Sequence, residues 1–392
     1  MTYRPRFAVA GNPGSRRVTL FAAAARAAGL PRPRVLPWSA LLASGPGAGG
    51  GVAVRPGEVL RVDSPGEDAE VDRLLRGDVE PARVEGGARW YGRFTAAVRD
   101  VAAGAVAAGA DVLDDPEELA VLFDKRRCHG RLAAADVPVP PSPTSAADAP
   151  GPYAAAPSLD GWDGLRDLLA AHGLRRAFVK PAHGSSAAGV LALEFPGRGR
   201  IRATTSVEPA PDGRLYNSLK VRRYTREAEV AAIVDALAPD GLHVERWLPK
   251  AQLGGRSCDL RVVVVAGRAT HAVARTGASP MTNLHLGGAR GDLGAVRAAA
   301  GPRWAAALAH CERAAACFPG TLCVGVDLLA APGWRRFAVA EVNAFGDLLP
   351  GLTGLPGGGA EGLDTYAAQV AAVRDRYAAV RSEEHRRAPA PA

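Results

Sequence analysis

The sequence predicts a mixed α/β (α+β) protein of two or three lobes, and three observations carry that prediction. The chain has 392 residues, long for a single hydrophobic core. Its opening reads as strand, glycine turn and helix: an apolar run over 7–11, the turn Asn12-Pro13-Gly14-Ser15, and an alanine-rich stretch over 18–28. Its second half reads as hairpins, with apolar runs over 259–265 and 271–275 flanking a turn at Gly267.

Composition narrows the classes. The residue balance is that of a soluble globular protein, with no apolar run of membrane-spanning length and no signal-peptide pattern at Met1-Thr2-Tyr3-Arg4-Pro5, so a cytoplasmic location is expected and no membrane partner. The 5 cysteines include no C-x-x-C pair and fit free thiols in a reducing compartment. Cys311 and Cys317 fall in an alanine-rich helical stretch, where buried packing outweighs metal binding. A net charge of +8 raises the question of nucleic acid, but the basic residues are scattered, and a polyanionic small molecule fits as well. Of the 48 basic residues only Lys125, Lys180, Lys220 and Lys250 are lysines. In a chain that uses arginine almost everywhere, a retained lysine suggests a site that needs a compact ammonium, such as a phosphate contact, although compositional bias alone would also leave a few survivors.

Taken in order, the first lobe is expected over 1–115. Further strands are expected at 35–38 and 59–62, joined by a flexible connector over 45–51. The cluster Arg61-Val62-Asp63-Ser64-Pro65-Gly66 follows a strand, where open α/β sheets bind ligands; substrate contact and capping of a helix at Glu67 are equal expectations there. A helix over 91–108 precedes Val112-Leu113-Asp114-Asp115-Pro116. A central lid lobe is expected over 116–240. It opens with a helix over 117–135 that carries Asp124-Lys125 and is stopped by Val137-Pro138-Val139-Pro140-Pro141. The stretch 146–159 is rich in Pro, Ala and Gly and reads as a loop.

Phe178-Val179-Lys180 is a strand ending in lysine, followed by the small-residue loop His183-Gly184-Ser185-Ser186-Ala187-Ala188-Gly189 and a return strand from Val190. Successive amides in such a loop can cradle phosphate oxygens, and the strand-end lysine strengthens an otherwise weak signal. A strand at 217–221 and a helix over 227–237 complete the lobe. A C-terminal lobe is expected over 241–380, with a helix over 295–317, and a disordered tail over 381–392.

The last hairpin is the most informative piece. Gly325-Val326-Asp327-Leu328-Leu329 and Phe337-Ala338-Val339-Ala340-Glu341-Val342-Asn343 flank a Pro332-Gly333 turn, and their only polar interior residues are Asp327, Glu341 and Asn343. These are hard-oxygen donors suited to magnesium held together with phosphate, although a buried hairpin with locally satisfied polar groups reads equally well from this stretch alone. Glu341 and Asn343 share a strand face. For Asp327 to join them it must lie opposite an odd-numbered residue such as Val339 or Glu341, which a two-residue Pro-Gly loop forbids. A loop with an odd number of residues, or a bulge, is therefore predicted.

The ordered series of Asp124-Lys125, Lys180 with its glycine-rich hairpin, Val244-Glu245-Arg246-Trp247-Leu248, Asp259-Leu260-Arg261, Asn283-Leu284-His285-Leu286-Gly287-Gly288, Gly325-Val326-Asp327-Leu328 and Glu341-Val342-Asn343 resembles the ATP-grasp superfamily. It is most like the branch of glutathione synthetase and the RimK-type carboxylate-amine ligases, over about residues 115 to 350. The resemblance implies an ATP-grasp fold with an N-terminal preATP-grasp-like lobe, a small lid lobe and a C-terminal antiparallel-sheet lobe. It implies ATP and Mg²⁺ as cofactors, two ions being expected and Mn²⁺ an alternative. The partners it implies are a small-molecule or peptide carboxylate and an amine acceptor, and it leaves room for a homodimer. By residue, it places Lys125 and Lys180 at the nucleotide, His183, Gly184, Ser185, Ser186 and Gly189 in a lid loop over the phosphates, and Glu245, Arg246, Trp247 and Leu248 along the adenine and ribose. Asp327, Glu341 and Asn343 would hold the metal, Arg261 and Arg275 would stabilise the transferred phosphoryl group, and Asn283 would sit beside them. Relatives commonly carry arginine where this chain has Met281 and Leu286, which removes two anion contacts. The activity implied is ATP-dependent ligation of a carboxylate to an amine or thiol through an acyl-phosphate. Phosphotransfer to a substrate and catalytically silent ATP binding are the alternatives.

Overall fold

A computed structural model of the protein describes residues 4–43, 53–80, 82–146, 159–184, 187–197, 199–346 and 349–387. The first lobe comprises β1 (Arg6–Gly11), α1 (Arg16–Ala27), β2 (Arg34–Pro37), α2 (Trp38–Ala43), β3 (Glu58–Val62), α3 (Ala69–Arg76), α4 (Gly87–Ala107) and β4 (Asp111–Val112). Its strands are parallel in the order β2-β1-β3-β4. A parallel sheet covered on both faces needs continuous apolar strands, and β1 and β3 are buried nearly throughout. Phe7 meets Phe21 of α1 on one face, while Trp38 meets Phe94 of α4 elsewhere in the lobe. The cap of α3 is Asp68, which accepts the Val71 N–H, so the 61–66 cluster does not provide it. Arg61 instead pairs with Asp63 at 2.6 Å inside the lobe.

Two helices, α5 (Pro116–Leu122) and α6 (Lys125–Ala134), replace the single one expected over 117–135. The break has a local cause. Asp124 is extended at φ −117 and ψ 108, and its carboxylate accepts the N–H groups of Arg126 and Arg127 as an N-cap. Lys125 is thereby placed at the first residue of α6.

The second lobe contains α7 (Trp162–Ala171), β5 (Arg176–Pro181), β6 (Leu191–Gly197), β7 (Arg200–Pro209), β8 (Leu215–Tyr224), α8 (Glu227–Leu237) and β9 (Leu242–Arg246), its strands antiparallel in the order β8-β7-β6-β5-β9. The β5-β6 hairpin and α8 stand where the sequence put them. The boundary expected at 240 moves, because β9 pairs with β5, with His243 opposite Lys180. Leu165 and Leu169 of α7 and Val230, Ile233 and Leu237 of α8 share one core with this sheet.

The third sheet is built from β10 (Gln252–Leu253), β11 (Arg256–Val265), β12 (Arg268–Gly277), β13 (Ala289–Gly291), β14 (Cys323–Ala330) and β15 (Phe337–Ala344), in the order β13-β12-β11-β14-β15 with β10 on β11. The helix expected over 295–317 is two, α9 (Leu293–Ala300) and α10 (Trp304–Ala316), since Gly301 at φ +54 and Pro302, which lacks an N–H, interrupt the ladder. The final helix α11 (Thr365–Arg387) packs Tyr366, Val370 and Val373 into the core that holds Phe7 and Phe21, tying the chain's end to its first lobe. The tail expected to be disordered from 381 is helical as far as Arg387, because a helix already nucleated against α1 extends readily through Ala, Arg and Glu. The connector over 45–51 and most of the loop over 146–159 lie outside the described residues. Among the described residues no helix is long and apolar enough to cross a membrane.

Two glycines on neighbouring helices test this packing. A Cβ on Gly130 of α6 would lie 1.9 Å from the Ala146 carbonyl oxygen, whereas a Cβ on Gly104 of α4 would meet nothing within 4 Å. Gly130→Ala should lower stability by about 1–3 kcal/mol, and Gly104→Ala should raise it by about 0.5–1 kcal/mol. Thermal unfolding of the two variants checks both signs.

Candidate active site

The β14-β15 hairpin contains the predicted bulge. Pairing begins with Ala330 opposite Phe337 and continues to Leu328 opposite Val339; one register shift then places Asp327 directly opposite Glu341 and Gly325 opposite Asn343. Ala340 is the extra residue. On the other side of β14, Asp327 lies opposite Arg261 of β11, and Asp259 of β11 lies opposite Arg275 of β12. Directly opposed residues share a face. Asp259, Arg261, Arg275, Asp327, Glu341 and Asn343 therefore line one face of the third sheet.

These charges are already paired with one another. Arg261 Nε donates to Asp327 Oδ1 at 2.5 Å, and Arg275 bridges Asp259 Oδ1 at 2.8 Å and Asp327 Oδ1 at 3.0 Å. Lys125 Nζ contacts Glu341 Oε1 at 2.9 Å and donates to the Gly184 carbonyl at 2.6 Å, so the cap that starts α6 also joins the glycine hairpin to the floor. Burial tends to raise the Glu341 carboxyl, but Lys125 and then Lys180 outweigh it and hold the group below its ordinary value.

Lys180 faces this floor from the second sheet. Its Nζ lies 2.6 Å from Glu245 Oε1, with Glu245 only 3% exposed. Burial opposes the ionised glutamate, yet Lys180 and His243 prevail and hold it at about 2. Lys180 is raised in turn: burial lowers it, and Glu245, Glu341 and Asp327 more than compensate. After Glu245 the chain leaves the sheet with Arg246 exposed and Trp247 and Leu248 half-buried. The Trp247 ring is 5.2 Å from Phe178 and lies under the Arg176 guanidinium at 4.0 Å, which fixes the start of the crossing to the third lobe. Between α6, β5, β9 and β15 a cavity of about 10 Å³ is lined by residues that include Lys125, Lys180, His243 and Glu341, room for little more than a water molecule.

Not every expected residue joins this cluster. The His183 ring stacks on Tyr91 at 4.0 Å and its Nδ1 donates to the Phe123 carbonyl at 3.1 Å, so it anchors the root of the hairpin and does not face the lysines. Its expected phosphate role is corrected accordingly, because an imidazole this well packed has no path to the loop tip. Ser185 and Ser186 lie outside the described residues. Gly189, at φ +73, could carry no side chain, since a Cβ would stand 2.5 Å from Pro181 Cγ. Asn283 opens a tight turn in which its carbonyl accepts the Leu286 and Gly288 N–H groups. Met281 and Leu286, only 6% and 7% exposed, form an apolar cluster with Val190, against which Phe178, Ala187 and Val221 pack. The two positions that lack arginine thus join the third lobe to the lid hairpin.

Sequence reasoning passed over a second buried group. Lys250 Nζ contacts Asp259 Oδ2 and Thr282 Oγ1, both at 2.9 Å, and the Thr282 hydroxyl donates to the same carboxylate. Burial would raise Asp259, but Lys250 and Arg275 hold it far below the usual carboxylate range. The signal was available: Lys250 is one of four lysines, and Asp259 shares a strand face with Arg261. Lys220 lies exposed on β8, away from the cluster.

The donor chemistry fits a magnesium ion. Asp327 and Glu341 oppose each other, and Asn343 shares their face while its Nδ2 donates to the Gly325 carbonyl at 3.2 Å. Among the described residues no group of three or more His, Cys, Asp or Glu is gathered for a metal. Covalent chemistry through sulfur has no support. Burial pushes all five thiols up, Cys258 to about 11 and Cys128 and Cys323 to about 12.

No protein-family model matches the sequence, and comparison with curated proteins finds no match. Solved structures do match along almost the whole chain. D-cycloserine synthetase DcsG is 18% identical with a TM-score of 0.53, covering 94% of this chain and 99% of that one. The ATP-grasp ligase PsnB, complexed with a phosphomimetic variant of its minimal precursor, Mg and ADP, is 16% identical with a TM-score of 0.48, covering 95% and 99%. A RimK domain ATP-grasp protein from Sphaerobacter thermophilus DSM 20745 is 16% identical with a TM-score of 0.47, covering 94% and 98%. What DcsG shares with this chain is the fold.

The paired acids make stability depend on pH in a defined direction. Glu245 sits at about 2 in the folded protein against an ordinary value of 4.5. Its contribution, on the order of 3 kcal/mol, is complete above the unfolded value and is lost as pH falls through the folded one; Glu341 and Asp259 act in the same sense. Lys180, raised, contributes below its ordinary value of 10.5 and loses that contribution as pH rises beyond it. Melting temperatures should therefore be highest between about pH 7 and 8.5. They should fall as pH drops through 6.5, where the buried imidazoles of His129, His183, His243 and His271 stay neutral while the unfolded chain charges, with Asp114, raised to about 6, offsetting part of that loss. They should then fall steeply from about pH 4.5 toward 2. Above about pH 9 the buried thiols withdraw stability in the same way. A flat profile below pH 4.5 would contradict the pairing.

Proposed function

From an ATP-grasp fold carrying this row of charges, we propose that the chain is an ATP-dependent ligase joining a carboxylate to an amine, with ADP and phosphate as the other products. The observation that carries the reading is the meeting of two sets of groups. Lys125 and Lys180 approach from α6 and the lid sheet, and Arg261, Arg275, Asp327, Glu341 and Asn343 stand on one face of the floor sheet. Phosphoryl transfer asks for this combination, because little covalent work falls to the protein and nearly all of it is positioning and neutralising charge.

In the proposed reaction a substrate carboxylate oxygen attacks the γ-phosphorus of ATP and ADP leaves. The amine nitrogen then attacks the acyl carbon of the resulting acyl-phosphate, phosphate leaves, and the nitrogen gives up a proton to form the amide. A thiol would follow the same course to a thioester. Lys125 and Lys180 would exchange their carboxylate partners for nucleotide phosphates, and Glu245 to Leu248 would border the adenine and ribose. Arg261 and Arg275, planar and always charged, would hold the transferred phosphoryl group, with Asn283 beside them. Asp327, Glu341 and Asn343 would hold Mg²⁺, whose charge would neutralise the phosphate oxygens. The lid sheet would open to admit the nucleotide and close over it. On closing, the apolar contacts of Met281 and Leu286 with Val190 would exclude water from the acyl-phosphate. Their burial accounts for the missing arginines as packing.

Incubation with Mg·ATP and pools of carboxylates and amines, followed by ADP assay and mass spectrometry, tests the proposal. Substrate-dependent ADP and phosphate with a new amide is the expected result; a phosphorylated product would identify a phosphotransferase. Glu341→Gln should lower turnover by about a hundredfold or more while the protein stays folded, with a melting temperature reduced only by the loss of the Lys125 pair. Near-normal turnover in that variant would contradict its metal role.

A further inference from the structure

Behind the Lys180–Glu245 pair lies a buried polar chain. Glu245 Oε1 takes Lys180 at 2.6 Å, while Oε2 makes no hydrogen bond and faces His243 Nε2 at 3.5 Å. His243 is 2% exposed, and its Nδ1 lies 3.2 Å from the Thr144 hydroxyl. Thr144 Oγ1 accepts the Val244 N–H at 2.7 Å, and its own proton faces His243 Nδ1 at 3.2 Å, nearer than the Ser142 hydroxyl at 3.3 Å and the Val244 carbonyl at 3.4 Å. The ring tautomer follows from these neighbours. A bare Nε2 would set its lone pair against a carboxylate, so Nε2 carries the proton and Nδ1 accepts from Thr144.

Neighbouring His129 is satisfied separately. Its Nε2 donates to the Pro140 carbonyl at 2.7 Å and its Nδ1 accepts from Ser145 at 2.5 Å, with the two rings 5.3 Å apart. Burial lowers both imidazoles, His243 to about 4, so neither adds a positive charge beside Lys180 at neutral pH. His243 is thus a neutral donor held on one side by Thr144 and turned on the other toward the free oxygen of Glu245.

We propose that His243, oriented by Thr144, is a positioning residue for nucleotide binding: its Nε2–H restrains the second oxygen of Glu245, so that the first aims the Lys180 ammonium at the phosphates. The inference rests on the reading that Lys180 meets the nucleotide. It assigns His243 no contact with ATP, and it separates a directional role from mere filling of the core, since only the former needs an N–H at that point of the ring.

The test measures Mg·ATP affinity by calorimetry on the full chain, with melting curves to confirm folding. His243→Leu keeps bulk and removes the donor, and should weaken binding by about tenfold; His243→Gln restores an N–H near the Nε2 position and should bind within about threefold of the parent. In a Glu245→Gln background, His243→Leu should add less than about twofold, because the residue acts through that carboxylate. Nitrogen-15 NMR of labelled histidine should show the Nε2–H tautomer for His243 in the parent and a mixture in Thr144→Val. An Nδ1–H tautomer in the parent, or an undiminished effect of His243→Leu in the Glu245→Gln background, overturns the proposal. Glu245→Gln that binds Mg·ATP as the parent does counts against the nucleotide reading of the Lys180–Glu245 pair. Weak binding by Glu245→Gln together with parental binding by His243→Leu overturns only the role of His243. If His243→Leu does not fold, the tautomer and the His243→Gln and Thr144→Val affinities decide.

Discussion

Two carboxylates on adjacent strands can serve one ligand only when the strand register sets them face to face, and in this hairpin the register turns on Ala340. From the turn inward, β14 and β15 pair so that Glu341 and Asn343 would project away from Asp327. The single unpaired residue reverses the alternation for the rest of β15, and Asp327, Glu341 and Asn343 come to one side. The opposite side of the sheet is apolar, with Val326, Leu328, Val339 and Val342 sharing a core with Ala307 and Cys311 of α10. Without the bulge both polar residues would enter that layer, where an unpaired carboxylate is costly. The bulge therefore decides in one step where the charges go and which face can be packed.

Once gathered, those charges constrain the lobes. Asp327, Glu341, Glu245 and Asp259 are matched by Lys125, Lys180, Lys250, Arg261 and Arg275; the Lys125–Glu341 contact joins α6 to the floor, while the others lie within one sheet or beside it. Buried ion pairs of this kind gain little over apolar packing, because desolvation consumes most of the attraction. Their value lies in what they can exchange. A polyanion with a divalent cation presents both signs of charge, so every group that loses its present partner can find another within the same site. Under the proposed reaction the cluster is poised for substitution, and the lid hairpin meets the floor through the Lys125 contacts and the apolar cluster of Val190, Met281 and Leu286.

Much of this was legible in the sequence, for reasons that can be named. The parity of the last hairpin required a bulge or an odd loop if Asp327 was to join Glu341 and Asn343, and apolar runs located the floor and lid strands. Lysine scarcity pointed to Lys125, Lys180, Lys220 and Lys250, of which the first, second and fourth pair with buried or half-buried acids while Lys220 is exposed on β8. Helix breaks were less visible, since Asp124 reads as an ordinary helical residue until its carboxylate caps the next turn, and the boundary expected at 240 falls just before β9 because pairing across about 60 residues leaves no local trace. His183 misled for the opposite reason. Its place beside a glycine loop suggested a ligand contact, while the partners that hold it, Tyr91 and Phe123, come from distant helices.

The lid is where the sequence departs most from the family it resembles, and the structure gives the departure a physical meaning. Arginines at positions 281 and 286 would need an anion or an acid to be buried; Met281 and Leu286 need only Val190, Ala187, Val221 and Phe178, and those belong to the lid hairpin and its sheet. An apolar contact is non-directional and closes by excluding water, so it holds the lid without fixing a charge at the substrate's far end. Arg275 and Arg290 stand opposite one another on β12 and β13, with Arg290 donating to the Pro350 carbonyl. Arg275 is already shared between Asp259 and Asp327. Under the proposed reaction, a substrate with little negative charge beyond the reacting carboxylate is the one this lid would close over most readily.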